Sequence, residues 1–147
     1  MDIMRMESGF LHWGHDISPE ENQFQAGLSF TISNKKDVDF IGKQAVEKIK
    51  KEKIKTRFAM FTLKESEPGK PLLLHDEPIY IDDKIIGRST SGNYSFNFKK
   101  NLVFGYIENN LSNEELQSKN LFIEVEKQKY KINLLLNPLK QNNFKDI

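Results

Sequence analysis

Between Thr56 and Leu136 short runs rich in Phe, Tyr, Ile and Val alternate with turn residues every ~8–12 positions. That spacing governs the fold more than any other feature, because connections this short leave no room for the helical crossovers that parallel strands need. The runs 57–64, 78–81, 84–96, 102–107, 121–126 and 129–136 read as strands of an antiparallel barrel or jelly-roll-like unit. Asp82-Asp83 and Lys127-Gln128 read as tight hairpin turns, 65–76 and 108–120 as long connections, and the polar tail after Pro138 as loosely held.

The lead segment has a different texture. Ser18-Pro19-Glu20-Glu21 has the form of a capping box with proline at the first helical position, so a short helical turn is expected there. Ala26 to Ile32 reads as a strand placing Leu28, Phe30 and Ile32 on one face, ended by a polar turn over Ser33 to Asp37. Asp39 then caps a helix over 40–53, whose Ile41, Ala45, Val46 and Ile49 form one apolar stripe. The fold class is therefore α+β: a short lead segment over 1–55, then an all-β unit over 56–147. One strand and one amphipathic helix cannot close a core. The lead segment must dock on the β unit, on another chain, or on sequence absent here.

Composition narrows the chemistry. The chain has 147 residues, about one domain's worth, and at this size it buries roughly two-thirds of the surface its unfolded form exposes. With 37% hydrophobic and 29% charged residues and eleven Phe, it is neither a membrane protein nor a disordered one. A net charge of +1 gives no bulk attraction to nucleic acid or anionic lipid, so neither is expected as a partner. The absence of cysteine excludes a disulfide scaffold, a thiol nucleophile, an iron–sulfur cluster and a Cys-ligated zinc site. No apolar run approaches the ~18 residues of a membrane span, and MDIMRMESGF lacks a signal peptide's charged and apolar regions, so the expected compartment is the cytoplasm.

Few residues carry candidate chemistry. His12, His15 and Asp16 fall within five residues, but Gly14 spoils helical ligand spacing, and a turn in which His15 and Asp16 bond backbone groups is the better reading; no metal is expected. Lys48 to Arg57 reads as a solvated basic face. Gly87-Arg88-Ser89-Thr90-Ser91-Gly92 lies within a strand with no helix behind it, so its glycines serve a bulge or a close backbone approach rather than a phosphate. Ser91 has no His–Asp pair nearby in sequence and is not read as a nucleophile. The only arginines, Arg5, Arg57 and Arg88, stand out as carboxylate or anion partners.

Ordered phrases carry a family likeness. Arg5-Met6-Glu7 with Gly9, Trp13 to Ile17, and Gln25 to Phe30 resemble the RxExG…GxD…EAGLxF series of the glycine-cleavage T-protein family. Asp39 to Ala45 resembles its DFIGKxAL segment, Gly87 to Gly92 its GxxTSG, Leu102 to Ile107 its (I/L)AxGY(V/I), and Asn137-Pro138-Leu139 its short Pro-containing end. The Trp-Gly-His-Asp wording is closest to the folate-binding module of dimethylglycine and sarcosine dehydrogenases.

The resemblance implies the end of the family's central subdomain over 1–55 and its C-terminal β-barrel over 56–147. It implies a tetrahydrofolate-dependent aminomethyltransferase, or the folate module of an amine-demethylating dehydrogenase. There three subdomains surround the folate, and a carboxylate assists the folate nitrogen in forming 5,10-methylenetetrahydrofolate. That carboxylate belongs to a part of the family with no counterpart here, and a family arginine four residues before Arg5 falls at Met1. No catalytic residue is thus assigned, and the chain alone is expected to be inactive and to bind folate weakly or not at all. The expected origin is an orphan reading frame, a split gene or a gene fragment. Phe30, Trp13 and Tyr94 are the candidate cofactor-contacting residues, and Arg57 matches a family arginine read as an ion-pair residue. The implied partner is the N-terminal folate or FAD portion, or a second copy of the chain. The alternative is a non-catalytic interaction or scaffold module that keeps the fold.

Overall fold

The computed structural model describes residues 2–32 and 39–140. Two helices, α1 (Asp2–Glu7) and α2 (Lys43–Lys51), precede strands β1 (Thr56–Leu63), β2 (Pro78–Ile81), β3 (Lys84–Ser95) and β4 (Lys100–Glu108). Helix α3 (Asn113–Ser118) and strands β5 (Leu121–Val125) and β6 (Gln128–Leu135) follow. The strands close into a barrel in the order β1-β4-β3-β2-β5-β6, and every neighbouring pair is antiparallel. The expected antiparallel barrel is the observed fold, with each strand within two residues of its expected bounds. No helix among the described residues is long and apolar enough to cross a membrane.

Strand alternation sorts the side chains. Phe61 pairs with Val103 and Leu134, and Ala59 with Gly105, so these positions share the barrel's inner face. Ile79, Ile86, Ile107, Ile123, Val125 and Ile132 complete a core to which all six strands contribute. The alternate positions Leu102 and Phe104 face outward, yet both are buried, under Met6 and Ile3 of α1 and Leu139 of the tail. β4 is therefore covered on both faces. That is why Leu102-Val103-Phe104 reads as an unbroken apolar run rather than an alternating one.

Several expectations change. Residues 26–32 form no strand: Asn22 Oδ1 accepts from the Phe24 and Gln25 amides, Gly27 takes φ +72°, and a 3-10 turn follows over Ser29–Thr31. A closed barrel offers no edge for a further strand to join. The helix expected over 40–53 is only Lys43–Lys51. Its N-cap is Gly42 at φ +92°, while the Asp39 carboxylate bonds the adjacent Phe40 amide. Ser18 and Glu21 make capping-box bonds, with Glu21 Oε2 2.8 Å from the Ser18 amide, but they close a turn and start no helix.

The last hairpin turns at Glu126-Lys127, one residue before the expected position. Both central residues have positive φ, as a type I′ turn requires, and Val125 already pairs with Gln128. The 108–120 connection, expected as a long loop, contains α3, started by a reciprocal Ser112–Glu115 capping box. The tail is held as far as Lys140, whose amide donates to the Glu7 carbonyl at 2.8 Å. The turn expected over Ser33 to Asp37 lies outside the described residues.

Candidate functional site

The lead segment is sewn to the barrel's outer wall by two buried carboxylates. Asp16, almost fully buried, accepts from Arg5 Nη1 (2.6 Å), Thr90 Oγ1 (2.5 Å), Ser91 Oγ (2.8 Å) and the His12 amide (2.9 Å). Glu7, equally buried, accepts from Ser95 Oγ (2.6 Å) and Asn97 Nδ2 (3.0 Å). Both clamp partners of α1 therefore lie on or just beyond β3, at opposite ends of its second half. Arg5 also donates to Ser91 Oγ (2.9 Å) and the Phe10 carbonyl (3.2 Å), and its guanidinium lies over the Phe104 ring.

A bulge makes this possible. Ser89 pairs with Gly105 and Ser91 with Phe104, leaving Thr90 as the extra residue. Successive strand residues ordinarily point to opposite faces, but here Thr90 and Ser91 both reach the same Asp16 oxygen. Of the two glycines expected to permit close approach, Gly87 does so against backbone, its Cβ meeting the Tyr106 carbonyl at 2.0 Å, while that of Gly92 meets Leu73 Cβ at 2.4 Å; Gly105, outside that run, faces the Arg88 carbonyl at 2.4 Å. Tyr106 donates to the Asp16 carbonyl at 2.9 Å. Burial, with help from the nearby Glu21 and Asp16 charges, pushes its phenol pKa upward, so it stays a donor.

The expected turn is present, with the His15 and Asp16 amides donating to the His12 carbonyl and Asp16 accepting from the His12 amide, but the Asp16 carboxylate does more than bind backbone. It takes one backbone amide and three side-chain donors, whereas the His15 ring packs edge-on against His12 at 4.7 Å. The ion-pair reading of Arg57 is corrected. No carboxylate pairs with it among the described residues; it donates to Asn113 Oδ1 (2.7 Å) and the Leu111 carbonyl (3.3 Å), holding the loop before α3, and burial pulls its pKa down.

Beside the clamp lies a cleft of about 520 Å³ bordered by His12, His15, His75, Arg5, Ser91 and Asn93. A smaller one of about 280 Å³ adjoins it and shares His15, His75 and Thr90, with Glu20, Glu21 and Arg88 along its side. Asp76 bridges His75 Nδ1 (2.8 Å) and Arg88 Nη1 (2.5 Å), and these hydrogen bonds, His75's foremost, hold its carboxyl below the usual range. No group of three or more His, Cys, Asp or Glu suited to a metal occurs among the described residues. The clefts present imidazoles and hydroxyls, while the Asp16 carboxylate of the clamp has its acceptor sites taken by four donors.

The candidate cofactor-contacting residues do not converge. Phe30 is 80% exposed on the 3-10 turn, Trp13 is 68% exposed, and Tyr94 packs edge-on against Phe96 at 5.1 Å. None of the three borders either cleft. Of the residues that do the joining, Arg5 stands out in the sequence as a carboxylate partner and pairs with Asp16, as Arg88 does with Asp76, whereas nothing in the GxD and TSG phrases brings Asp16, Thr90 and Ser91 together.

Fold and clamp together define a class: a six-stranded antiparallel barrel carrying a lead segment bonded to its outer wall. Residues 57–140 match the family described as the glycine cleavage T-protein C-terminal barrel domain, and the chain belongs to that family. It is 35% identical over 112 residues to human mitochondrial dimethylglycine dehydrogenase, covering 76% of this chain and 13% of that protein. It is 31% identical over 107 residues to the mouse mitochondrial pyruvate dehydrogenase phosphatase regulatory subunit, covering 72% of this chain and 12% of that one. The crystal structure of the glycine cleavage system aminomethyltransferase T from Bartonella henselae has the same fold, with a TM-score of 0.76 at 19% identity, over 95% of this chain and 37% of that one. The chain thus spans a small part of the length of each.

Proposed function

We propose that the chain is the barrel-bearing portion of a tetrahydrofolate-dependent one-carbon transfer module and carries out no methylene transfer by itself. The observation behind this reading is the state of its two buried acids. Asp16 has its oxygens taken by four donors, and Glu7 is buried with its oxygens turned to Ser95 and Asn97 of the barrel, so both serve the clamp rather than a folate nitrogen. The aromatic groups that would sandwich a pterin stand apart. Phe30, as the best placed by family likeness, adds ~1 kcal/mol of ring stacking beyond its buried area, against the ~8 kcal/mol that micromolar affinity needs. Titration calorimetry with tetrahydrofolate tests this. The expected result is no saturable heat at micromolar protein, and a micromolar Kd for the chain alone overturns the reading.

The likeness to a phosphatase regulatory subunit favours a second reading, an interaction module that keeps the fold and serves no folate chemistry. A complex of this chain with the rest of a T-protein-type module separates the two. Folate binding by the complex, lost when this chain is left out, supports the first; a stable complex indifferent to folate supports the second.

A further inference from the structure

We infer that His12 and His15 form a two-imidazole chelate for a divalent transition-metal ion, Cu²⁺ before Ni²⁺ or Zn²⁺, at the border of the larger cleft. The inference is independent of the folate reading. The two ring centres lie 4.7 Å apart at an interplanar angle of 74°. Two imidazoles that share one metal ion, each bonded through one nitrogen at ~2.0–2.1 Å, have ring centres about 4.5–5 Å apart. Burial does not hold this pair together, because both residues are exposed. Of the three histidine rings only that of His75 makes a hydrogen bond among the described residues, to Asp76. The nitrogens of His12 and His15 are therefore open to a metal ion, and imidazole is its commonest side-chain ligand.

Gly14 was expected to spoil helical ligand spacing, yet the turn it allows brings the same two positions together. Gly14 takes φ +89°, and its amide donates to the Ile17 carbonyl at 2.8 Å. The His12 carbonyl accepts from the His15 amide (3.3 Å) and the Asp16 amide (2.8 Å), closing one turn in which residues three apart are neighbours, as on a helix. The turn is also pinned from below. The His12 amide donates to Asp16, which is itself bonded to Thr90 and Ser91 of β3. A ligand pair on a fixed turn loses little freedom on binding, so the second imidazole acts at a high effective concentration. Arg5, a cation on the same cleft wall, is offset by Asp16. Imidazole suits Cu, Ni and Zn, and the order of divalent affinities puts Cu²⁺ highest. With two protein ligands, the remaining coordination positions are left to water or to the oxygen and nitrogen donors of a small ligand in the cleft.

Calorimetric titration of the full chain with Cu²⁺, in a buffer that does not bind metal, tests the inference. One saturable equivalent is expected. His12→Ala and His15→Ala should each weaken it roughly tenfold or more, because either change leaves a single imidazole. His75→Ala should leave it unchanged, since that ring is held by Asp76. Both substituted residues are exposed and His12 keeps its backbone bonds, so the variants fold, which an unchanged thermal melt verifies. Electron paramagnetic resonance of the one-to-one complex should show two nitrogen donors, reduced to one in either variant. Binding that survives either single substitution, two independent weak equivalents, a one-nitrogen spectrum for the unaltered chain, or an equal loss in His75→Ala overturns it.

Discussion

Arg5 Nη1 lies 2.6 Å from Asp16 Oδ2, and the Asp16 side chain has no exposed surface while that of Arg5 keeps 17%. This pair holds the seam between lead segment and barrel. Its stability is that of a buried charge with all its partners present. Such a pair contributes little over an apolar substitute, but is costly to leave half-made.

Asp16→Ala is accordingly expected to lower unfolding stability by about 3–5 kcal/mol, because Arg5 then stays behind without its counter-charge. Thr90→Val removes one of four donors and is expected to cost about 1 kcal/mol. Urea unfolding measures both. The double variant Arg5→Met/Asp16→Ala should cost less than the sum of its single changes, since each single change strands the other charge. Strict additivity would show that the pair is not coupled.

The glycines of the seam are expected to differ in a graded way. Gly87→Ala and Gly105→Ala each drive a Cβ into a carbonyl of the paired strand, at 2.0 and 2.4 Å, where a hydrogen-bonded ladder cannot move aside. Each should cost about 1–3 kcal/mol or more. Gly92→Ala instead meets Leu73 Cβ at 2.4 Å, an atom that no rotamer change moves, but Leu73 lies in a loop outside the ladder whose backbone can shift, so its cost should be the smallest of the three. Thermal melts rank them, and an equal loss at all three positions would contradict the close-approach account.

Acid should loosen the loop that carries His75. The Asp76 carboxyl titrates below its ordinary value, chiefly through the His75 hydrogen bond and then through Arg88. A depressed carboxyl pKa means stability that is present above the unfolded-state value of ~3.9 and is lost as pH falls through the folded value. Carbon-detected NMR of the Asp76 carboxyl should show His75→Ala raising its midpoint more than Arg88→Ala does. No movement in either variant would refute the assignment. The group is largely exposed, so the effect on global stability should be small.

Ser112→Ala removes the cap of α3 and is expected to destabilise by about 1 kcal/mol. Hydrogen exchange at the Glu115 amide, which donates to Ser112 Oγ, should accelerate in that variant while amides in β4 keep their protection.

Much of the barrel was legible because strand patterns are local. Ile79, Ile123 and Ile132 each sit in a short apolar run between turn residues, and each proved to be core. Leu28 and Phe30 have the same local look, yet they form no strand. Whether such a run pairs depends on a free sheet edge, and closure leaves none. The site was legible as Arg5, a rare arginine marked as a carboxylate partner, and as separate phrases. Nothing within RxExG or TSG says that Arg5 meets Ser91 across 86 positions, or that a bulge turns Thr90 and Ser91 toward one carboxylate.

The sequence by itself determined the antiparallel strands and their order along the chain, the absence of thiol chemistry, and the family motifs, all of which depend on residue type and near neighbours. Tertiary structure alone decided the rest: the closure of β1 onto β6, the second buried face of β4, and the conversion of Asp16 from a turn residue into a saturated clamp. A carboxylate becomes a base, a clamp or a solvated charge according to which donors surround it once it is buried, and those donors come from segments that meet only when the barrel is closed.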